Sequence, residues 1–338
     1  MKIALISSAF YGHAGLFNKA LLDKGLDVDF LFFPFNTVTY SFPYATFSNE
    51  INQEYFSQNI DKYDYIIGLE QGLIDFLNGI RQLTKAKIAC QILDVPVHEF
   101  SHNSYYRERS LQQWSLWSNQ LENIDYVICN NLTTEKLLKS RQFNHQTAVI
   151  QYPIEPIDIQ EYERTDTVLY VGRASKDKGI YNIINALSFV VNAPTLVCVS
   201  SDKNIAQIKS YADYMNVKMQ IYSDCGELDK YRLLHQCLFT VSGSIASTIP
   251  ALLHLEGLAV GRSFVCFDWP TYRDFYGDYG VYVKPLDIGS FSEGISDALQ
   301  KRTELDEIAR DAKERIRNER SYDNWAKSTI QFLGLDNA

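Results

Sequence analysis

Two kinds of apolar pattern alternate along this chain. Short blocks rich in valine, isoleucine and phenylalanine read as buried strands, and stretches with apolar residues three and four positions apart read as helices. Strands are predicted at 2–8, 27–33, 63–69, 87–93, 125–130 and 147–152, and again at 167–173, 195–200, 218–223, 239–243, 263–267 and 281–284. Regular alternation of strand and helix argues for parallel sheets, and each set suffices for one doubly wound sheet. Between the sets, Tyr152-Pro153-Ile154-Glu155-Pro156-Ile157-Asp158 carries two prolines and no periodicity, and a charged run from Glu161 to Asp166 follows it. This is the linker. No repeat of fixed period and no low-complexity segment is present. The tail from about Glu304 is helical, and Trp325, Ile330 and Phe332 give its last segment an apolar side.

The most informative break in the pattern lies between Tyr170 and Ile180. The strand run Val168-Leu169-Tyr170-Val171 stops at Gly172, turns polar, and restarts at Lys178-Gly179-Ile180 with helical spacing through Ile183, Ile184 and Leu187. Arg173 and Lys178 therefore stand between the carboxyl end of a strand and the start of a helix. Open α/β sheets bind ligands at that edge, and a helix start adds free N–H groups and a positive dipole end. Two cations there suit a diphosphate; the competing reading is a pair of solvated loop charges.

Length and composition narrow the class. A chain of 338 residues sits near the expectation for two domains, and 46% hydrophobic residues support substantial cores. No apolar run is long enough to span a bilayer, and the N-terminus enters a strand directly, without signal-peptide features. A net charge of −9 argues against a nucleic-acid partner held by broad electrostatics. Cys90, Cys129, Cys198, Cys225, Cys237 and Cys266 form no C-x-x-C pair, and four lie in strand-like runs. They read as small buried hydrophobes rather than a disulfide frame or zinc site, so a cytoplasmic protein is expected. Leu111, Trp114, Trp117 or Ser118, and Leu121 share a helix face, near Arg107 and Arg109. Core packing is the simpler reading; the other is weak peripheral contact with a membrane surface.

With Gly172, the segment resembles the strand-G-R-x-x-x-x-K-G-helix element of the family 4 retaining glycosyltransferases. Further segments extend the likeness. Leu255-Glu256-Gly257-Leu258-Ala259-Val260-Gly261, followed by Ser263-Phe264-Val265-Cys266-Phe267, is similar to that family's E-A-x-A-x-G-x-P-V-V block. Phe267-Asp268-Trp269-Pro270 through Asp274, then Gly277-Asp278-Tyr279-Gly280, resemble its following turn and "gdaG" stretch. Met1 to Ser8 leading to Gly12-His13-Ala14-Gly15 resembles its first strand and glycine loop.

The resemblance implies a GT-B architecture: two Rossmann-like doubly wound domains facing across a cleft, with a C-terminal helix crossing back to the first. It places an acceptor-side domain at 1–155, a donor-binding domain at 165–320 and the returning helix at 321–338. It implies a nucleoside diphosphate sugar as donor and a glycan, lipid-linked sugar or small molecule as acceptor, with transfer at retained anomeric configuration. Arg173 and Lys178 would hold the diphosphate, and Glu256 the ribose hydroxyls; otherwise Glu256 is a surface helix carboxylate. No metal or other cofactor is implied, because cations and helix N-termini neutralise the leaving group. No carboxylate pair at D-x-D spacing follows a strand end.

Gly12 and Gly15 would let backbone N–H groups approach the donor, or simply form a strand-to-helix turn. Their spacing is not that of a dinucleotide-binding loop. His13 is a candidate for sugar or acceptor contact. Asp94 and His98, after the strand 87–93, are candidates to meet the reacting sugar or acceptor hydroxyl, His98 the better one and His102 a weaker third; a structural histidine is the alternative. Thr248 stands where the family carries an earlier glutamate that contacts the transferred sugar. It can hydrogen-bond but cannot stabilise cationic charge. That departure motivates a rival reading: a catalytically weak nucleotide-sugar-binding or partner protein. An epimerase or inverting transferase of the same fold is another.

Overall fold

The structure is a computed structural model that describes residues 1–8, 11–32, 48–93, 104–143, 145–223, 225–245 and 251–337. It divides into two compact units, Met1–Pro153 with Ser321–Ala338, and Ile154–Arg320. The first unit is built on β1 (Lys2–Ser7), β2 (Asp27–Phe32), β3 (Glu50–Ile51), β4 (Tyr65–Gly68), β5 (Lys87–Ile92), β6 (Tyr126–Cys129) and β7 (Gln146–Val149). They form one sheet in the order β3-β2-β1-β4-β5-β6-β7, with every pairing parallel. The second unit is built on β8 (Thr167–Val171), β9 (Thr195–Val199), β10 (Met219–Tyr222), β11 (Phe239–Ser242), β12 (Phe264–Phe267) and β13 (Val281–Val283). Their order is β10-β9-β8-β11-β12-β13, again all parallel. Both sheets are doubly wound, and the winding reverses between β1 and β4 in one and between β8 and β11 in the other. Ligands of such sheets bind outside the carboxyl ends of the strands at that reversal.

The sheets are buried on both faces, which is why their strands read as continuous apolar runs. Alternate residues of β8 serve opposite sides. Val168 and Tyr170 pack with Ile180, Ile183, Ile184 and Phe291, while Leu169 packs with Tyr231, Leu234 and Leu253. Every predicted strand is present. The two-residue β3 was not predicted, because it carries no apolar run. In the helix Ser104–Gln120, Trp114 and Trp117 are core residues at 4% exposure each, as the core-packing reading expects. Leu111 departs from that face and is 48% exposed.

The last helix, Tyr322–Leu333, belongs to the first unit. Ser321 caps it by accepting a hydrogen bond from the Asn324 N–H at 3.1 Å. Trp325 is buried edge-on against Phe17, with ring centroids 4.4 Å apart, and the Tyr65 hydroxyl donates to the Leu333 carbonyl at 2.9 Å. Among the described residues no helix is long and apolar enough to cross a membrane.

Candidate functional site in the second unit

The loop after β8 is held from below. The Tyr170 hydroxyl donates to the Arg173 carbonyl at 2.5 Å, and the Ala174 N–H donates to Ser200 Oγ at 3.0 Å, at the end of neighbouring β9. With its backbone fixed, Arg173 extends its guanidinium outward, 58% exposed, 3.2 Å from the Asp177 carboxylate. Lys178 follows, half-buried, directly before the helix Ile180–Leu187. Burial alone would raise the Asp177 carboxyl. Hydrogen bonding with Ser175 and the charges of Arg173 and Lys178 more than reverse this, so its pKa is lowered. The loop thus sets two cations and one carboxylate at the carboxyl edge of β8.

Gly179 is the N-cap of that helix, in the left-handed region at φ +74°, and no side chain caps the helix start. The first helical N–H groups are therefore open to an acceptor such as a phosphate oxygen. Only glycine fits here. A Cβ on Gly179 would fall 1.7 Å from the carbonyl oxygen of Gly243, just beyond β11. Around that crossing, Asn182 Nδ2 donates to the Gly243 carbonyl at 2.8 Å, the Ile245 N–H to the Asp177 carbonyl at 3.1 Å and Trp269 Nε1 to the Ser244 carbonyl at 3.0 Å. The ends of β8 and β11, on either side of the reversal, are thereby tied together.

Glu256 lies in the helix Leu252–Ala259 and is only 8% exposed. The surface-carboxylate alternative is therefore excluded. Its Oε1 is 2.9 Å from Lys230 Nζ, and the same ammonium is 2.7 Å from Glu227 Oε2. Both latter residues come from a neighbouring helix, Glu227–Gln236. Burial would lower the Lys230 pKa, but Glu256 and Glu227 outweigh it and the pKa is raised, so the amine is a firm cation. Sequence reasoning missed Lys230, because partners 26 residues apart on two helices leave no local signal.

Two residues before Glu256, His254 is completely buried. Its Nδ1 shares a hydrogen bond with Thr240 Oγ1 at 2.6 Å and its Nε2 with Ser242 Oγ at 2.8 Å. Burial pulls its pKa down to about 3, so the ring is neutral. The helix that carries Glu256 is thus pinned to β11.

In the first unit, Gly12, His13 and Gly15 lie within the helix Tyr11–Leu22 rather than in an extended glycine loop. The expectation is corrected to this extent: helical backbone begins at Tyr11, before the first of these glycines. Asp94, His98, His102 and Thr248 lie outside the described residues. At the reversal between β1 and β4 stands a carboxylate that sequence reasoning did not single out. Glu70, at 9% exposure, accepts hydrogen bonds from Ser7 Oγ at 3.1 Å, Ser8 Oγ at 2.7 Å and the Ser8 backbone N–H. Among the described residues no group of three or more His, Cys, Asp or Glu side chains could hold a metal ion.

Two doubly wound parallel sheets with a final helix returned to the first unit define the GT-B fold. Sucrose-phosphate synthase from Thermosynechococcus elongatus superposes with a TM-score of 0.79 at 16% identity, covering 99% of this chain and 98% of that one. Anabaena Alr3699/HepE in complex with UDP and glucose gives 0.74 at 14% identity, covering 99% and 100%. A lipopolysaccharide outer core galactosyltransferase, WaaB, gives 0.68 at 15% identity, covering 99% of both chains. Residues 153–318 match the family described as glycosyl transferases group 1, a segment that lies almost wholly within the second unit. No curated protein is close enough in sequence to count as a relative.

Proposed function

We propose that this protein is a retaining glycosyltransferase that moves a sugar from a nucleoside diphosphate sugar to an acceptor hydroxyl, without a metal ion. The observation that carries this reading is the pairing of Arg173 and Lys178 with an uncapped helix start at the reversal of the second sheet. A diphosphate seated there would meet two cations and the open N–H groups of the helix. As the glycosidic bond breaks, negative charge builds on the departing phosphate, and these groups stabilise it. Removing one preorganised donor of this kind typically costs about 100- to 1000-fold in rate. The departing phosphate takes the acceptor's proton, so the mechanism needs no enzymic nucleophile.

Glu256 accepts hydrogen bonds from the ribose in this reading, while Gly12, His13, Gly15, Asp94, His98 and Thr248 are assigned to the sugar and acceptor side. The acceptor is a glycan, a lipid-linked sugar or a small hydroxyl compound. UDP is the first nucleotide to test, since HepE is a neighbour in complex with UDP-glucose. Thr248, in place of a carboxylate, favours one rival: a nucleotide-sugar-binding protein of weak activity.

Incubation with UDP-, GDP- and ADP-sugars, with and without acceptors, tests the proposal. Release of nucleoside diphosphate with an axial product from an axial donor, lost in Arg173→Ala, is the expected result. Binding without turnover points to the rival, and inversion at the anomeric carbon rules out the retaining mechanism.

A further inference from the structure

Lys230 belongs to no motif, yet its ammonium sits 2.9 Å from Glu256 Oε1 with both side chains about nine-tenths buried. A carboxylate at that depth is costly unless a cation and hydrogen bonds compensate it. Glu227 Oε2, at 2.7 Å and more exposed, takes another of the ammonium's donors. One cation therefore stands between two carboxylates, one outward and one inward. Among the described residues Glu256 Oε2 has no hydrogen-bond partner. The carboxylate is anchored by one oxygen and leaves the other available.

We infer that Lys230 is a positioning residue that fixes the Glu256 carboxylate so that its second oxygen accepts a hydrogen bond from a hydroxyl of the bound nucleotide's ribose. The inference rests on the ribose assignment of Glu256 proposed above. A helix-borne glutamate has three side-chain torsions, and ordering them on binding weakens affinity. An ion pair already present in the free protein removes most of that loss. Because Nζ occupies Oε1, the carboxylate has one oxygen left for a monodentate contact, and a second ribose bond must share Oε1 with the ammonium.

The test is calorimetric titration of wild type, Lys230→Met, Lys230→Arg, Glu256→Gln and the double variant Lys230→Met/Glu256→Gln with UDP, GDP and ADP and their 2′-deoxy and 3′-deoxy forms. Lys230→Met is expected to weaken binding of the preferred ribonucleotide by about tenfold and to shrink the deoxy penalty. Lys230→Arg keeps the cation and restores part of the penalty. Adding Lys230→Met to Glu256→Gln should cost nothing further, because the lysine acts only through the carboxylate. The double variant also removes both charges together, which keeps the cycle readable if the single change unfolds the unit. Wild-type affinity and deoxy penalty in Lys230→Met, beside a reduced penalty in Glu256→Gln, would overturn the role of Lys230 alone. No deoxy penalty in wild type with any of the three nucleotides would overturn the Glu256 assignment and this inference with it.

Discussion

Gly179 and Gly243 cross backbone to backbone, so closely that a Cβ on Gly179 would lie 1.7 Å from the Gly243 carbonyl oxygen. The crossing joins the cation-bearing loop after β8 to the segment after β11, across the reversal where doubly wound sheets hold their ligands. Neither backbone can retreat alone, since Asn182 and Trp269 hold the Gly243–Ser244 carbonyls.

Gly179→Ala should therefore do two kinds of damage. The left-handed φ of +74° costs an alanine about 1–2 kcal/mol, and relief of the clash must shift the loop that presents Lys178. Thermal unfolding should show a lowered Tm, and nucleotide titration a larger loss than the stability change accounts for. A variant with full nucleotide affinity would show that the crossing does not shape the site.

The buried imidazole of His254 predicts a pH dependence with a definite sign. Its folded pKa is about 3 against about 6.5 unfolded, so below pH 6.5 the unfolded chain takes up a proton that the folded one refuses. Its share of stability is complete above pH 6.5 and declines as pH falls, by about 2 kcal/mol at pH 5. Urea unfolding of wild type and His254→Gln at pH 7 and pH 5 isolates this share as the difference between their pH slopes. Equal slopes would mean the histidine is hydrated or charged in the folded protein.

Trp325 predicts an effect confined to the first unit. It is 2% exposed against Phe17 of the helix Tyr11–Leu22, and Phe17 also meets Tyr322 edge-on. Truncation to alanine should cost about 3–5 kcal/mol. In limited proteolysis, cleavage within residues 1–153 should accelerate while the segment 154–320 resists as before. Faster cleavage of both segments would contradict an effect limited to one unit.

The sequence made the fold legible because parallel strands buried on both faces leave continuous apolar runs, as at Val168–Val171 and Phe264–Phe267. Ile180, Ile183, Ile184 and Leu187 likewise declared their helix by spacing, and all four are buried. Arg173, Lys178 and Gly179 were legible because they are contiguous with that strand and helix. The ion pair of Lys230 with Glu256, the Glu70 contacts with Ser7 and Ser8, and the Gly179–Gly243 crossing were not. Each depends on residues far apart in sequence meeting through sheet order, and pattern along one strand or helix carries no such information. β3 escaped for a different reason: two residues, Glu50 and Ile51, are too few to show a period. Leu111 shared the spacing of Trp114 and Leu121, yet its turn of the helix lies at the surface.

The central claim is that Arg173 and Lys178 receive a diphosphate, and calorimetric titration tests it most directly. Wild type and Arg173→Ala/Lys178→Ala are each titrated with the nucleoside, its monophosphate and its diphosphate, for the base that wild type prefers. Charge-assisted hydrogen bonds contribute about 1.5–3 kcal/mol each, so wild type should favour the diphosphate over the nucleoside by at least about a hundredfold. The double variant should lose most of that preference, keeping only the share that the helix N–H groups supply, while its unfolding curve stays close to wild type, since Arg173 is exposed and Lys178 half-buried. A double variant that keeps the wild-type preference for the diphosphate would contradict the account.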